Sequence, residues 1–269
     1  MAIFHMNFSN ISAGKGRSAV ASASYRSGEK LYSEMENKTY FYDRSVMPES
    51  FILLPENAPE WAKDRQKLWN EVEAVDRKVN SRYAKEFNVA LPIELSEDEQ
   101  KELLTEYVQK TFVDKGMVAD VAIHRDHDEN PHAHVMLTNR PFNADGSWGQ
   151  KAKKEYILDE NGNKTYTANG HARSRKIWLV DWDKVGKVEE WRKAWADHVN
   201  SVFQEKNIDE RISEKTLEAQ GINDIATQHV GVTGNRDERA EFNKLVLENR
   251  QHKAELENLD EKINNELKV

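Results

Sequence analysis

The chain contains no cysteine, only six prolines and no long apolar segment, and these scarcities exclude several classes of protein. Without cysteine it cannot form disulfides, thiolate metal sites or cysteine nucleophiles, so any metal must be bound by His, Asp or Glu. No segment approaches the roughly 18 uninterrupted apolar residues that a membrane span requires, and residues 1–12 lack a signal-peptide pattern. We therefore expect a soluble, cytoplasmic protein without membrane insertion.

An excess of positive charge is also lacking. The formal charge of -8 at pH 7 argues against a protein that coats DNA nonspecifically, because Lys and Arg supply most of that affinity. The basic residues are nevertheless concentrated in segments 1–30 and 140–178, which makes them candidates for phosphate contacts, although ordinary scatter of surface charge explains them equally well. The candidates are Lys15, Arg17, Arg26, Lys151, Lys153, Lys154, Arg173 and Arg175.

Hydrophobic periodicity predicts a mixture of strands and helices. Period-two alternation predicts strands over residues 3–8, 82–91, 117–124 and 132–138. Helical spacing or composition predicts helices over about 18–34, 61–79, 96–115 and 191–203. Ser96 and Glu99 form a capping-box pattern, and Gly116 provides a stop signal.

The remaining segments suggest one main domain with appendages. Residues 141–176 are polar and contain an Asn-Gly hairpin pattern, so we expect a mobile arm there. We assign residues 1–235 to the main domain, and we expect a charged C-terminal helix or linker over residues 236–269. Because the sequence stops within this helix, we expect a further domain beyond it.

Three histidines have the spacing of a metal site. His132 and His134 lie two apart in a predicted strand and therefore share a face. His124 ends the preceding predicted strand, and a hairpin would bring its imidazole beside the other two. Three imidazoles with open coordination positions suit a catalytic metal, whereas a half-exposed sheet face without metal is the alternative interpretation. His127, in the intervening turn, is a competing ligand.

The ligand set alone does not identify the metal. Imidazole suits Mn, Co, Ni, Cu and Zn and disfavours an all-oxygen Ca or Mg cage. We expect a divalent ion, Mn or Mg in the cell and Ni, Co or Zn in a crystal. Glu86 lies on the polar face of its predicted strand, where it is a candidate additional ligand, orienting residue or general base, or simply a solvent-facing charge.

Four motifs occur in a fixed order across most of residues 1–235: GKGRSAVASASYRSGEKLY, ILLPENAPEWA, IHRDHDENPHAHVMLTNRP and EAQGINDIATQHVG. In content and order, these motifs resemble those of the MobA/MobL relaxases of the HUH nuclease superfamily. The resemblance implies an α+β fold with a central antiparallel β-sheet flanked by helices, the metal on one face and helices on the other. This fold agrees with the predicted strands.

The resemblance also implies a bacterial, plasmid-encoded DNA relaxase that nicks one strand at an origin of transfer. By position in the motifs, Tyr25 corresponds to the nucleophilic tyrosine, His124, His132 and His134 to the metal ligands, and Glu86 to an acidic active-site residue. The implied partners are origin-of-transfer DNA, single stranded at the nick, and conjugation accessory or coupling proteins. Weaker nucleophile candidates are Tyr32, Tyr40 and Tyr42, and candidates for base stacking are Trp148, Tyr156 and Tyr166.

Three other functions fit the same residues. A replication initiator of the same superfamily would use the same chemistry at a different target. A metal-dependent hydrolase would use water as the nucleophile and leave no covalent protein–DNA adduct. A DNA-binding module with a structural metal would cut no strand.

Overall fold

A five-stranded antiparallel sheet forms the centre of the computed structural model, which describes residues 4–126, 130–228 and 234–266. The strands are β1 (Met6–Ser12), β2 (Leu31–Ser33), β3 (Lys38–Tyr40), β4 (Glu49–Leu53), β5 (Arg82–Ala90), β6 (Ala119–His124), β7 (His132–Thr138), β8 (Ala152–Tyr156) and β9 (Ser174–Trp178). The helices are α1 (Ala19–Ser27), α2 (Arg65–Val75), α3 (Glu97–Thr111), α4 (Lys187–Glu205) and α5 (Arg236–Glu266). The central sheet has the strand order β1-β5-β7-β6-β4, so the predicted α+β fold is confirmed.

Alternating side chains give the central sheet two different faces. On one face, Phe87, Val135 and Val121 occupy one row of paired residues and share a core cluster with α3 and α4. On the other face, Met136 belongs to a second core cluster with residues of α1 and α2, including Trp69. Helices therefore pack on both faces, and the histidine-bearing face is only partly open, which differs from the arrangement that the resemblance implied.

Helix α1 is shorter than the sequence pattern predicted. Its N-cap is Ser18, whose side chain accepts a hydrogen bond from the Ala21 amide, but it ends at Gly28 instead of continuing to residue 34. Gly28 has φ +74°, a left-handed conformation that favours glycine and ends a helix. Residues 31–33 then form β2, so the prediction of helix there is wrong, and Tyr25 lies in the last turn of α1.

Most other elements follow the predictions, but β1 covers residues 6–12 instead of 3–8, and α2 and β4 also differ. β5, β6, β7 and α4 lie within a few residues of the expected bounds, and the Ser96–Glu99 capping box starts α3. Residues 60–63 form a short 3-10 turn, and α2 starts only after Asp64, whose side chain accepts from the Lys67 amide. Strand β4 was not predicted, because its five residues are all only partly buried and show no alternation.

The polar segment predicted as an arm contains a β-ribbon. β8 and β9 pair in antiparallel register, and the chain between them makes two tight turns. At the Asn161–Gly162 turn, the Asp159 amide donates to the Asn163 carbonyl at 2.8 Å, which confirms the predicted hairpin. We call residues 151–179 the arm.

The chain divides into two compact units, residues 1–214 and 215–269. The first contains the central sheet, α1 to α4 and the arm. The second contains α5, whose residue Arg250 forms an ion pair with Asp224 at 2.7 Å. Within the described parts of the chain, no helix has the length and apolar character needed to cross a membrane.

Candidate active site

The three predicted histidines lie close together on one face of the central sheet. His124 at the end of β6 pairs directly with His132 at the start of β7, and His134 lies one pleat further along. One ring nitrogen from each lies within 4.8 Å of the others, and the ring centres are 5.0 to 5.3 Å apart. The sheet register therefore brings together a group that can hold a metal ion, whereas His127 lies outside the described residues.

The surroundings of these rings favour neutral imidazole. Burial lowers the pKa of His134 to about 2, with further lowering by the charge of Arg26. Burial also lowers the pKa of His124 to about 4, and repulsion from His132 and Arg44 adds to it. Both rings are therefore uncharged at neutral pH and offer a lone pair to a cation.

Backbone carbonyls orient two of the rings. The Nδ1 of His132 lies 2.9 Å from the Asn130 carbonyl, and the Nε2 of His124 lies 2.9 Å from the Arg26 carbonyl. In metal sites, a ligating histidine commonly donates its other ring N–H to such an oxygen, which fixes the tautomer and the ring plane. The donor set and its supporting contacts therefore fit a divalent ion.

Tyr25, in the last turn of α1, is followed in the chain by a residue that contacts this cluster. Its ring is 47% exposed, packs edge-on against Tyr42 at 5.2 Å and lies under the Arg44 guanidinium. The residue after it provides the carbonyl that contacts His124. The last turn of α1 thus carries an accessible phenol and contacts the histidine cluster through its backbone.

Glu86 takes part in the site without joining the group of three histidines. Its carboxylate accepts hydrogen bonds from Ser9 at 2.6 Å, from Arg17 at 3.0 Å and from Arg26. Burial acts to raise the pKa of Glu86, but Arg26, Ser9 and Arg17 outweigh it and hold this pKa below its ordinary value. Glu86 is therefore an ionised anchor for two arginines, Arg17 just before α1 and Arg26 in its last turn.

A second set of buried polar contacts fixes α1 against the sheet. The Glu73 carboxylate of α2 accepts from the Ala19 amide at 2.5 Å and from the Ser18 hydroxyl at 2.9 Å, which caps the start of α1. In α2, Arg65 pairs with Asp120 of β6 at 2.8 Å and also with Glu29, just after α1. Both ends of the helix that carries Tyr25 are thus tied to charged side chains of α2.

The predicted phosphate-binding residues fall into two groups. Arg17 and Arg26 are engaged by Glu86, and Lys151 forms an ion pair with Asp76 at 3.6 Å. Arg175 pairs with Glu155 but stays exposed. Lys15, Lys153, Lys154 and Arg173 are exposed. Of the predicted stacking residues, Trp148 packs on Phe142 at 4.2 Å between ring centres, while Tyr156 and Tyr166 are exposed.

Sequence patterns did not show that the loop of residues 41–48 contacts Tyr25. Tyr42 was considered only as an alternative nucleophile, and Arg44 was not singled out, yet both contact Tyr25. A loop residue carries no periodicity that would show its neighbours. The only available signal was the run of aromatic and charged residues in YFYDR at 40–44.

Comparisons with known proteins find a matching family model and several similar proteins. The family model described as the MobA/MobL family matches residues 17–240. The conjugal transfer protein TraA of Rhizobium radiobacter is 35% identical over 251 residues, which cover 89% of this chain and 22% of TraA. Mobilization protein A of Escherichia coli is 32% identical over 231 residues, which cover 86% of this chain and 30% of that protein.

A solved structure is also similar. It comes from work described as the molecular basis of vancomycin resistance transfer in Staphylococcus aureus, with a TM-score of 0.67 and 29% sequence identity. The match covers 80% of this chain and all of that one. The chain thus corresponds to a whole solved chain but spans only about a fifth to a third of the two full-length relatives above.

Proposed function

Because the chain belongs to the MobA/MobL family, we propose that it is the nicking domain of a DNA relaxase, which cuts one strand at a plasmid origin of transfer with Tyr25 as nucleophile. The relatives named for conjugal transfer and mobilisation support this proposal. In the domain assignment that we propose, residues 1–235 form the nicking domain and residues 236–269 a linking helix.

The observation that carries the proposal is the contact between α1 and the histidines. The Arg26 carbonyl lies 2.9 Å from the His124 ring, so the residue next to Tyr25 touches the three-histidine cluster. An accessible phenol on the helix turn that contacts the imidazole cluster suits phosphoryl transfer, because nucleophile and charge-stabilising group must meet at one phosphate.

The proposed reaction exchanges one phosphodiester for another. The Tyr25 oxygen attacks the scissile phosphorus and loses its proton to solvent or to a nearby base, while the bond from phosphorus to the 3'-oxygen breaks and that oxygen takes up a proton from solvent. The products are a 5'-phosphotyrosine link and a free 3'-hydroxyl. Because the number of phosphodiester bonds is unchanged, the 3'-hydroxyl can attack in reverse and rejoin the strand.

The protein's own residues position these atoms. A free tyrosine has a pKa of about 10, so attack at neutral pH needs positive charge nearby. A divalent ion held by His124, His132 and His134 would supply Lewis-acid stabilisation of the scissile phosphate, and we propose Mn or Mg in the cell. Glu86 positions Arg26 and Arg17 and does not act as a ligand or base in this proposal.

The arm offers a surface for the unpaired strand. The β8–β9 register places Lys154, Tyr156, Lys176 and Trp178 on one face. Lys176 Nζ lies 3.4 Å from the centre of the Trp178 ring, and Lys164 Nζ lies 4.0 Å from that of Tyr156. Exposed rings beside lysines suit stacking on bases with phosphate contacts alongside. Lys153 and Arg175 lie on the other face.

The proposed function is tested with labelled oligonucleotides from the candidate transfer origin of the plasmid that carries the gene. With Mn or Mg, the unmutated protein should give a band that resists denaturant, is sensitive to protease and carries the DNA segment 3' of the cut. Tyr25→Phe should fold and bind metal and DNA normally but form no such band. Tyr32→Phe is the matched control and should form it.

Each alternative function gives a different result. An adduct in Tyr25→Phe would identify another nucleophile, with Tyr32 the next candidate. Strand cleavage without an adduct in any variant would indicate water as nucleophile and contradict the relaxase proposal. Adducts only with a replication origin would indicate a replication initiator, and an absence of cleavage with lower thermal stability of histidine variants would indicate a structural metal.

A further inference from the structure

Arg44 makes different contacts from the other arginines near the histidines. Arg44, in the loop between β3 and β4, places its guanidinium carbon 4.5 Å from the centre of the Tyr25 ring. The same guanidinium donates a hydrogen bond to the Tyr25 backbone carbonyl. It is also close enough to His124 and His134 for its charge to act on both rings. Arg44 thus lies near both parts of the proposed active site.

The charge of Arg44 is uncommitted within the described parts of the chain. No carboxylate there lies within 4.0 Å of its guanidinium. The other arginines around the site are bound: Arg17 and Arg26 by Glu86, and Arg125 by Glu49. The positive charge of Arg44 is therefore available to pair with an anionic ligand such as a phosphate.

A cavity marks where that ligand would lie. It has a volume of about 220 Å³ and is lined by Arg44, Ser45, His124, Arg125 and Asp126, among others. Polar side chains predominate in its lining, and one of them, Arg44, also lies over the exposed Tyr25 ring. A cavity of this size can take a phosphate group with part of its sugar.

We propose that Arg44 is a catalytic residue that binds a nonbridging oxygen of the scissile phosphate between Tyr25 and the three histidines. This inference rests on the proposed function. The guanidinium presents several N–H donors in one plane, so one can hold the Tyr25 carbonyl while others contact phosphate. Its position over the Tyr25 ring also places positive charge where phenolate forms. Arg44 would therefore stabilise both the attacking oxygen and the charge on phosphorus.

The first test measures the rate of adduct formation with an oligonucleotide that the unmutated protein converts to the covalent product. Arg44→Ala should lower this rate by about a hundredfold or more, as expected for loss of one preorganised donor, while metal affinity is unchanged. Arg44→Lys, which keeps the charge, should lose less. Guanidinium chloride at millimolar concentration should partly restore Arg44→Ala. Arg77→Lys, an exposed arginine just after α2 and outside this cavity, is the control and should change the rate by less than about threefold.

The second test separates phosphate binding from a merely structural role and needs no cleavage. In a Tyr25→Phe background without metal, binding of the ordinary oligonucleotide is compared with binding of one that has a neutral methylphosphonate at the scissile position. The neutral link should weaken binding by about tenfold, as for loss of a charged hydrogen bond, and adding Arg44→Ala should remove most of that difference.

The outcomes distinguish this inference from the proposed function. If the unmutated protein forms no adduct with any origin oligonucleotide, the proposed function fails. If it forms the adduct but Arg44→Ala matches its rate, or if the methylphosphonate penalty persists undiminished in Tyr25→Phe with Arg44→Ala, the inference about Arg44 is overturned. Normal circular dichroism and metal binding in both Arg44→Ala and Arg44→Lys exclude misfolding as the cause of a slow rate.

Discussion

At the scale of single residues, burial and local charge prepare the histidines for a cation. Both His124 and His134 have lowered pKa values in the folded protein, so their neutral forms predominate down to pH values well below the ordinary 6.5. Protons therefore compete weakly with a metal at these two rings. The Arg26 carbonyl orients the His124 ring, and the sheet register brings its nitrogens close to those of His132 and His134.

We predict that His132→Ala or His134→Ala lowers metal affinity and adduct formation by orders of magnitude, because one of three protein ligands is lost. His124→Ala should behave similarly. Isothermal titration calorimetry with Mn or Co measures the affinity directly. His171→Ala, an exposed residue of the arm, is the control and should bind metal normally. Full metal occupancy in a His132→Ala, His134→Ala double variant would exclude the proposed site.

The carboxylate of Glu86 should contribute to stability in a pH-dependent way. Its pKa is lower in the folded protein than its ordinary value of 4.5, so its contribution is fully present above pH 4.5 and is lost as pH falls through the folded pKa. Glu86→Ala leaves Arg26 without its buried partner and should cost on the order of 3 kcal/mol at pH 7.

Urea denaturation at several pH values tests this expectation. The difference in unfolding free energy between Glu86→Ala and the unmutated protein should shrink as pH falls below 4.5. Glu102→Gln, on the exposed face of α3, should change stability little at any pH. Adduct formation should also fall in Glu86→Ala, but less than in the histidine variants, because Arg26 would lose its anchor while the ligands remain. Unchanged stability and activity would show that this ion pair has no role.

At the scale of elements, hydrophobic periodicity predicted the strands and helices that depend on local sequence. It missed features that depend on contacts between residues far apart in the chain. Strands β5, β6 and β7 alternate so regularly that their shared face, and with it the meeting of His124, His132 and His134, followed from the sequence. The end of α1 was missed because Ala and Ser continue to suggest helix, although Gly28 stops it. The partners of Glu86 were not predictable, since they come from β1 and α1, 60 to 77 residues away.

Variants in the arm test whether one face of the β8–β9 ribbon binds DNA. We predict that Lys154→Ala with Lys176→Ala, on the aromatic face, weakens binding of single-stranded DNA and reduces its salt dependence by about two phosphate contacts. Trp178→Ala should weaken binding with no change in salt slope, because stacking involves no ion release. Fluorescence anisotropy at several salt concentrations measures both.

Lys153→Ala with Arg175→Ala is the matched control from the opposite face of the arm. It removes the same formal charge, but Arg175 is already paired with Glu155, so its effect should be smaller. Equal effects of the two double variants would mean that the arm attracts DNA only by general charge. An unchanged salt slope in both would mean that the arm does not contact phosphate.

At the scale of the whole molecule, the net charge of -8 and the proposed DNA site are compatible because charge is unevenly distributed. Residues 205–269 contain fifteen acidic and ten basic side chains, whereas residues 140–178 contain four acidic and eight basic ones. An enzyme that cuts one site needs positive charge where the strand lies, and acidic charge elsewhere limits nonspecific binding.

The same division of the chain predicts which part is sufficient for chemistry. All residues of the proposed site lie in the unit formed by residues 1–214, while the family match extends to residue 240. We predict that a protein ending at residue 235 binds metal and forms the Tyr25 adduct at a rate within about threefold of the full chain, because the charged helix α5 buries only Val246 among its described residues. Adduct gels and metal titration on both proteins measure this.

A shorter protein ending at residue 214 shows whether residues 215–235 contribute. If the protein ending at 235 folds and binds metal but forms no adduct, α5 is part of the nicking domain and the proposed boundary is wrong.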